Sequence, residues 1–330
     1  MIDYSIIIRT TGKAGEKYQK LLDSIVNLKV SPVEIIVVLP KGVDLPNERI
    51  GNETFYFSEK GMVTQRLYGI KKCKTKYALV TDDDIAFNSD FVEMLYEPLS
   101  DGKYSFSLGP LLDFFPSKGF KTILSAILGG AVPTFFHKEK YNTILRTTGY
   151  SFNRNIDTKN HKLYETQSAA WTCFFCNVND FKNINLENEM WLDINGYAAH
   201  DDTTMFYKAY LMGYKSVVVS DAMYNHLDGK TSTNGINKTV IFASAFNTFI
   251  FWHRFIYSIQ KNNFLKLWSI ICFKYMLFMN RFYSYVKLII GKCDKYEIDL
   301  YKNGYKEAKK WVKGYEYKIL KKVKVYEEGK

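Results

Sequence analysis

The sequence predicts an α/β chain: a doubly wound, mostly parallel central sheet with flanking helices, continued by a basic, aromatic-rich helical extension. Two observations predict the sheet. Short β-branched runs alternate with amphipathic stretches over the first hundred residues, which is the pattern of βαβ units. The run Tyr77-Ala-Leu-Val-Thr81 then stops abruptly at three consecutive carboxylates, Asp82, Asp83 and Asp84, as a buried parallel strand does where its carboxyl end meets a ligand site. The extension follows from charge. Residues 251–330 hold 18 Lys and Arg against 7 Asp and Glu, the whole of the formal +11, so the preceding 250 residues sum to zero.

Taken in order, Tyr4–Arg9 reads as a buried strand, Thr10–Gly15 as a loop and Glu16–Leu28 as a helix. Val33–Leu39 is the next strand, closed by Pro40, and Thr54–Phe57 a third. A helix from about Met62 to Lys72 delivers the chain to Tyr77. The crossovers force parallel pairing. Phe91–Tyr96 is a short helix stopped by Pro98, and Tyr104–Leu108 alternates as a strand. From Gly109 to Lys162 the pattern loosens, and the charge-free run Ile123–Phe136 is too short to span a bilayer. Gln167–Asn177 reads as another buried strand, Thr203–Met212 as a helix stopped at Gly213, and Lys215–Ser220 as a strand. The first βα turn offers only Gly12 and Gly15, and neither a dinucleotide fingerprint nor a P-loop occurs.

Three adjacent carboxylates repel one another and call for a compensating cation or a set of donors. If the run stays extended, Asp82 and Asp84 point the same way and Asp83 the other. Two oxygens on one side suit Mg²⁺ or Mn²⁺, which take few protein carboxylates and leave positions for substrate phosphates. Asp201 and Asp202 fall at the amino end of a helix, where they read either as a capping pair or as a general base at the rim of the acidic site. His226, just past a strand, reads as a structural imidazole or as a third metal ligand. Cys173 and Cys176 lack a second pair at zinc spacing and are expected to be core thiols. With five cysteines and no disulfide spacing, a reducing compartment fits. Met1-Ile-Asp-Tyr-Ser5 has no signal-peptide pattern, so a cytoplasmic protein beginning with its first strand is expected.

The order of these elements resembles the nucleotide-sugar-dependent glycosyltransferases of family 2, with the GT-A fold. The resemblance rests on the opening strand ending in Thr10, on Glu34-Ile-Ile-Val-Val38, and on Gly61 through Gln65-Arg66 to Gly69-Ile70. It continues with Asp82-Asp83-Asp84 after a strand, Asp201-Asp202 before a helix ending Gly213-Tyr214-Lys215, and His226 after the next strand. It covers about residues 3–232. It implies a catalytic domain over 1–235, with a nucleotide-sugar half (1–110) and an acceptor half (111–235), ahead of the extension at 236–330. It further implies Thr10, Thr11, Arg66, Asp82 and Asp83 beside the nucleotide sugar, and Asp84 with Asp82 and His226 on a Mn²⁺ or Mg²⁺ ion. Asp202 takes the position of the catalytic base, with Asp201 where the family usually has Glu. One departure is plain: the acidic pair with which the family reads the base is replaced here by Leu39-Pro40-Lys41 after Val38.

The implied reaction is transfer of a sugar from a nucleoside-diphosphate sugar, a UDP-sugar first, to the hydroxyl of a saccharide or lipid-linked saccharide, with inversion, in cell-surface polysaccharide or glycolipid assembly. Other classes fit parts of the sequence: a metal-dependent hydrolase of sugar or phosphate substrates, or a non-enzymatic basic protein that binds membrane or nucleic acid. A neutral body with an acidic pocket and no RNA-binding or helix-turn-helix motif speaks against nucleic acid. In the extension, Phe264–Ile290 carries only Lys266, Lys274, Arg281 and Lys287, within roughly 140° of helical arc. That pattern is expected of an interfacial helix on an anionic membrane surface, peripheral on the inner face, or of a helix packed on the catalytic domain. Val240–Trp252 reads as a second such helix or as one packed on the catalytic domain. Lys302–Lys324 reads as a Lys-rich tail on lipid phosphates or in solvent.

Overall fold

The computed structural model describes residues 2–111, 120, 127, 141–153, 156–227 and 237–326. The first half runs β1 (Tyr4–Arg9), α1 (Glu16–Val26), β2 (Glu34–Pro40), β3 (Glu53–Ser58), α2 (Met62–Lys72), β4 (Tyr77–Asp82), β5 (Ile85–Phe87), α3 (Phe91–Tyr96) and β6 (Phe106–Leu108). It continues through β7 (Asn142–Ile144), β8 (Ser151–Asn153), β9 (Leu163–Thr166), β10 (Cys173–Asn177), α4 (Val178–Asn183), α5 (Asp201–Leu211), β11 (Ser216–Val219) and β12 (Tyr224–His226). The remainder is helical: α6 (Lys238–Phe251) running into a π-helical turn (Trp252–Tyr257), α7 (Asn263–Ile289), α8 (Lys295–Trp311) and α9 (Tyr315–Lys318).

Eight strands form one sheet in the order β3-β2-β1-β4-β10-β6-β11-β9. β3, β2, β1 and β4 are parallel, as the crossovers require, and β6 pairs parallel with β11. β10 runs antiparallel between β4 and β6. Two expectations shift here. The strand read as Gln167–Asn177 is paired only over Cys173–Asn177, and β9, short and half exposed, is an antiparallel edge that the pattern did not show. The run Ile123–Phe136 lies outside the described residues apart from Ile127.

Strand alternation divides the core between the two faces of the sheet. Tyr4, Ile6 and Ile8 of β1 pack with Tyr18, Leu21, Leu22 and Ile25 of α1. Ile7, with Ile36 and Val38 of β2, packs with Val63, Leu67 and Ile70 of α2. Gly69 permits that approach, since a Cβ there would stand 2.4 Å from Ile7 Cγ2. The C-terminal helices cover the same face: Phe246, Ile250 and Phe251 of α6, Phe273 and Met276 of α7, and Tyr305 of α8 belong to that core. Val240–Trp252 is therefore no interfacial helix. From Ala243 onward its apolar residues are buried in protein, including Ala245, Phe249, Ile250 and Trp252.

The Lys-rich segment is also more ordered than a tail. α8 opens on a capping box between Asp294 and Glu297, and Gly304 lets it lie against α6, where a Cβ would stand 2.6 Å from the Phe242 carbonyl oxygen. A buried ion cluster fastens the helices to the body. Glu189, fully buried, accepts from Arg254 at 2.6 and 2.8 Å, from Lys208 at 2.7 Å and from Trp191 Nε1 at 2.8 Å. Burial would raise the Glu189 carboxyl, but Arg254 and Lys208 outweigh it and hold the group below the usual range. Among the described residues no helix is long and apolar enough to cross a membrane.

Candidate active site

Parallel register builds the site. Arg9 and Asp82 are opposite each other at the carboxyl ends of β1 and β4, where ligands of such sheets bind. β4 ends at Asp82, and Asp83 and Asp84 form the turn into β5. The run is thus not extended, and the alternation expected of Asp82, Asp83 and Asp84 gives way to three directions with three sets of partners.

Asp82 turns inward. Its Oδ1 accepts from Arg9 Nε at 2.9 Å and from Arg66 at 2.6 Å. Burial would raise its carboxyl, but Arg66 and then Arg9 prevail and hold it below the usual range. Asp83 accepts from the Thr10 hydroxyl at 2.5 Å. Burial pushes Asp83 up to about 6, with the Asp82 and Asp84 charges adding to the rise and Thr10 and Arg9 opposing it. Thr10 itself is buried, and its hydroxyl accepts from Gly12 N–H at 2.9 Å; Thr11 is exposed in the same loop.

Asp84 meets His226. β12 pairs antiparallel with β5, placing His226 opposite Ile85, and the imidazole Nε2 lies 3.0 Å from Asp84 Oδ2. Asp84 Oδ1 is buried without a hydrogen-bond partner. A buried carboxylate oxygen with no donor is costly, and a carboxylate oxygen next to an imidazole is a donor pair that a hard divalent cation accepts. Asp84 and His226 therefore fit a Mn²⁺ or Mg²⁺ ion. Asp82 is held by its arginines, and among the described residues no three acidic, imidazole or thiolate groups converge as a metal cluster.

The second acidic pair opens α5. His200 precedes it in left-handed backbone, φ 67°, a conformation that a non-glycine residue holds only when its surroundings impose it. α6 does so: Thr248 pairs with His200 Nε2 at 2.8 Å, Phe251 stacks on the ring, and Asn247 donates to the carbonyls of Leu192 at 3.2 Å and Ala199 at 3.0 Å. Asp201 and Asp202 accept from the N–H groups of Asp202 and Thr203 at 2.8 and 2.5 Å. Both carboxyls are raised, chiefly by burial: Asp201 to about 7 against the lowering by Arg66, and Asp202 against its hydrogen bonds to Thr203 and the nearby His200.

Arg66 joins the two clusters. It lies in the core at 1% exposure, with one amino group on Asp82 and the other 3.4 Å from Asp201 Oδ2, and its guanidinium sits 4.6 Å from the Trp171 ring centre. Its amino groups donate to Asp82, Asp201 and the Met62 carbonyl. Asp193 fixes the helix that carries it, accepting from the N–H groups of Met62, Val63 and Thr64 and from the Thr64 hydroxyl. Gly61 leaves room for this cap, since a Cβ there would stand 2.3 Å from Asp193 Oδ2. Sequence reasoning missed Arg9, Asp193, His200 and Asn247. Only Arg9, as the charged end of a β-branched strand, carried a signal. Cys173 and Cys176 are buried in β10, and burial pushes the Cys173 thiol up to about 12.

The model of glycosyl transferase family 2 matches residues 43–181, a segment running from just before β3 into α4 that contains Arg66 and Asp82–Asp84. Over that segment the chain is similar to family 2 glycosyltransferases. No curated protein sequence matches the chain. A crystal structure of GalNAc-T7 with UDP, GalNAc and Mn²⁺ superposes with a TM-score of 0.52 at 13% identity, over 84% of this chain and 56% of that one. This chain thus spans little more than half of that structure's length. S. aureus TarS 1–349 in complex with UDP-GlcNAc aligns with a TM-score of 0.49 at 12% identity, over 93% of this chain and 80% of that one. The mostly parallel sheet with flanking helices is the GT-A fold.

Proposed function

We propose that the protein is a metal-dependent glycosyltransferase that moves a sugar from a nucleoside-diphosphate sugar to an acceptor hydroxyl with inversion. The observation that carries this reading is the buried, unpartnered Asp84 Oδ1 beside His226 at the carboxyl end of β4. Asp84 and His226 would hold a Mn²⁺ or Mg²⁺ ion, with Asp82 held nearby by Arg9 and Arg66. Bound there, the ion would neutralise the charge that builds on the departing diphosphate. The GalNAc-T7 crystal holds UDP and Mn²⁺ together, which supports a UDP-sugar as the first donor to try. Thr10, Thr11 and Asp83 border the nucleotide end of the site in this reading.

Asp202 acts as the general base. It is more open to solvent than Asp201, and burial raises its carboxyl above the usual range, which makes it a stronger proton acceptor. In one displacement the acceptor oxygen bonds to the anomeric carbon as the bond to the diphosphate oxygen breaks. The electron pair leaves with the diphosphate and the hydroxyl proton passes to Asp202. A single displacement inverts the anomeric centre. Asp201, tied to Arg66, positions the turn rather than touching the reacting atoms. The acceptor is a saccharide or lipid-linked saccharide, in cell-surface polysaccharide or glycolipid assembly on the cytoplasmic side. A thermal-shift screen of nucleoside diphosphates with and without Mn²⁺ tests the enzyme class, because a ligand that binds only the native state raises apparent stability. Stabilisation that needs both is expected; equal stabilisation without the metal contradicts the reading.

A further inference from the structure

The 27-residue helix α7 has two unlike faces. Ser269, Cys272, Phe273 and Met276 are buried against the body. On the opposite side Phe264, Leu267, Ile271, Phe278 and Phe282 are 49–71% exposed. With Tyr275, Tyr285 and Ile289, also exposed, they follow one another at steps of three or four residues, which makes a single stripe along the helix. At 1.5 Å per residue the stripe is about 40 Å long. Scattered exposed apolar residues are ordinary, whereas a continuous stripe of this size marks a contact surface.

Beside the stripe lies a cavity of about 300 Å³ between α7 and α8, lined by Arg281, Lys302, Tyr305, Lys306, Lys309, Lys310 and Lys313. Lys302, Lys306 and Lys309 share one face of α8 by their spacing, Lys313 follows just past its end, and Arg281 lies across from them on α7, between Phe278 and Phe282 in sequence. Lys302 also reaches the hydroxyl of Tyr285 at 3.1 Å, so the cavity and the stripe meet at a common edge.

We propose that this composite surface docks the protein on an anionic phospholipid bilayer, with the aromatic stripe in the headgroup–acyl boundary and a lipid headgroup phosphate in the basic cavity. Charge complementarity selects this occupant over a second copy of the chain. α7 contains no Asp or Glu, so two copies pairing through the stripe would set Lys274, Arg281 and Lys287 against like charges with none of the opposite-sign flanking pairs that helix pairing uses. Phe, Tyr, Leu and Ile on one face with Lys and Arg beside them is the composition of helices that lie in the membrane interface. The inference uses no residue of the active site and stands apart from the catalytic reading.

Co-sedimentation of the full chain with vesicles of phosphatidylcholine alone, and with about one third phosphatidylglycerol, is the test. Binding to the anionic vesicles and little to the neutral ones is expected. Lys306→Glu, Lys309→Glu and Lys313→Glu together should weaken binding on the order of 100-fold or more, at about 5-fold for each charge near an anionic surface. Phe278→Ser with Phe282→Ser should weaken it about 10-fold and leave the remaining binding more salt-sensitive. Both sets replace exposed side chains, and an unchanged circular dichroism spectrum and melting temperature separate lost docking from lost fold. Equal binding to both vesicle types, no binding, or wild-type affinity in either variant set would overturn the proposal. So would inorganic diphosphate saturating the cavity in a chain that ignores vesicles, or a dimer in sedimentation velocity that Phe278→Ser dissolves. Because vesicle binding is read without turnover, its failure leaves the nucleotide–metal screen unaffected.

Discussion

Arg66 donates to Asp82 at 2.6 Å from a core position, and its other amino group reaches Asp201 at 3.4 Å. One guanidinium thereby holds the carboxyl end of β4 and the amino end of α5 in a fixed relation, although 119 residues separate Asp82 from Asp201 in sequence. Removing one partner of a buried ion pair strands the other, which typically costs about 3–5 kcal/mol. Arg66→Met should destabilise the protein by about that amount in urea denaturation. Arg66→Lys should recover only part of it, because a single ammonium cannot serve both carboxylates as the planar fork does.

Asp201 also gives a pH dependence with a definite sign. Its carboxyl lies at about 7 in the folded protein, above the unfolded value of about 4. A group that binds its proton more tightly when folded contributes stability that is present below about pH 4 and is lost as pH rises to about 7. Asp82 works in the opposite direction, since its lowered carboxyl contributes stability that is lost as pH falls below the ordinary carboxylate range. Melting temperature followed from pH 4 to pH 7 should decline less in Asp201→Asn than in the native chain. An unchanged slope would remove Asp201 as the source.

Asn247 couples the C-terminal helices to the site through its bonds to the Leu192 and Ala199 carbonyls. Asn247→Ala should cost about 1–3 kcal/mol by leaving buried acceptors without donors. It should also lower kcat through a displaced Asp202 while metal-dependent nucleotide binding stays close to native. Steady-state kinetics beside a nucleotide titration reads the two effects separately.

Glu189→Gln tests how the extension is held. The neutral side chain keeps the shape but leaves Arg254 and Lys208 buried without their countercharge, and a loss of about 3–5 kcal/mol is expected. Limited proteolysis should then cut first in the helices after Trp252.

Much of the sheet was legible because its strands are buried on both faces. Tyr4–Arg9 and the helices Met62–Lys72 and Phe91–Tyr96 have the bounds read from apolar runs and periodicity. β9 was not legible, because a half-exposed edge strand carries little pattern. α8 carried a signal that was passed over: Asp294 and Glu297 at capping-box spacing, then Ile298, Tyr305 and Ala308 on its buried side. Its many lysines masked that apolar spacing. In the site, the residue types were legible and their directions were not. Asp82-Asp83-Asp84 suggested one metal cluster, but a turn after Asp82 sends the three carboxylates to Arg9 with Arg66, to Thr10 and to His226. Which arginines would meet Asp82 depended on strand register and on where α2 docks, and neither is a local property.

Calorimetric titration of UDP in the presence and absence of Mn²⁺, on the native chain, Asp84→Asn and Asp202→Asn, tests the central claim most directly. The expected result is metal-dependent binding to the native chain, binding weakened at least about 10-fold in Asp84→Asn, as loss of a charged ligand to the ion entails, and near-native binding in Asp202→Asn without transfer activity. Native-strength binding to Asp84→Asn, or binding indifferent to the metal, would contradict it.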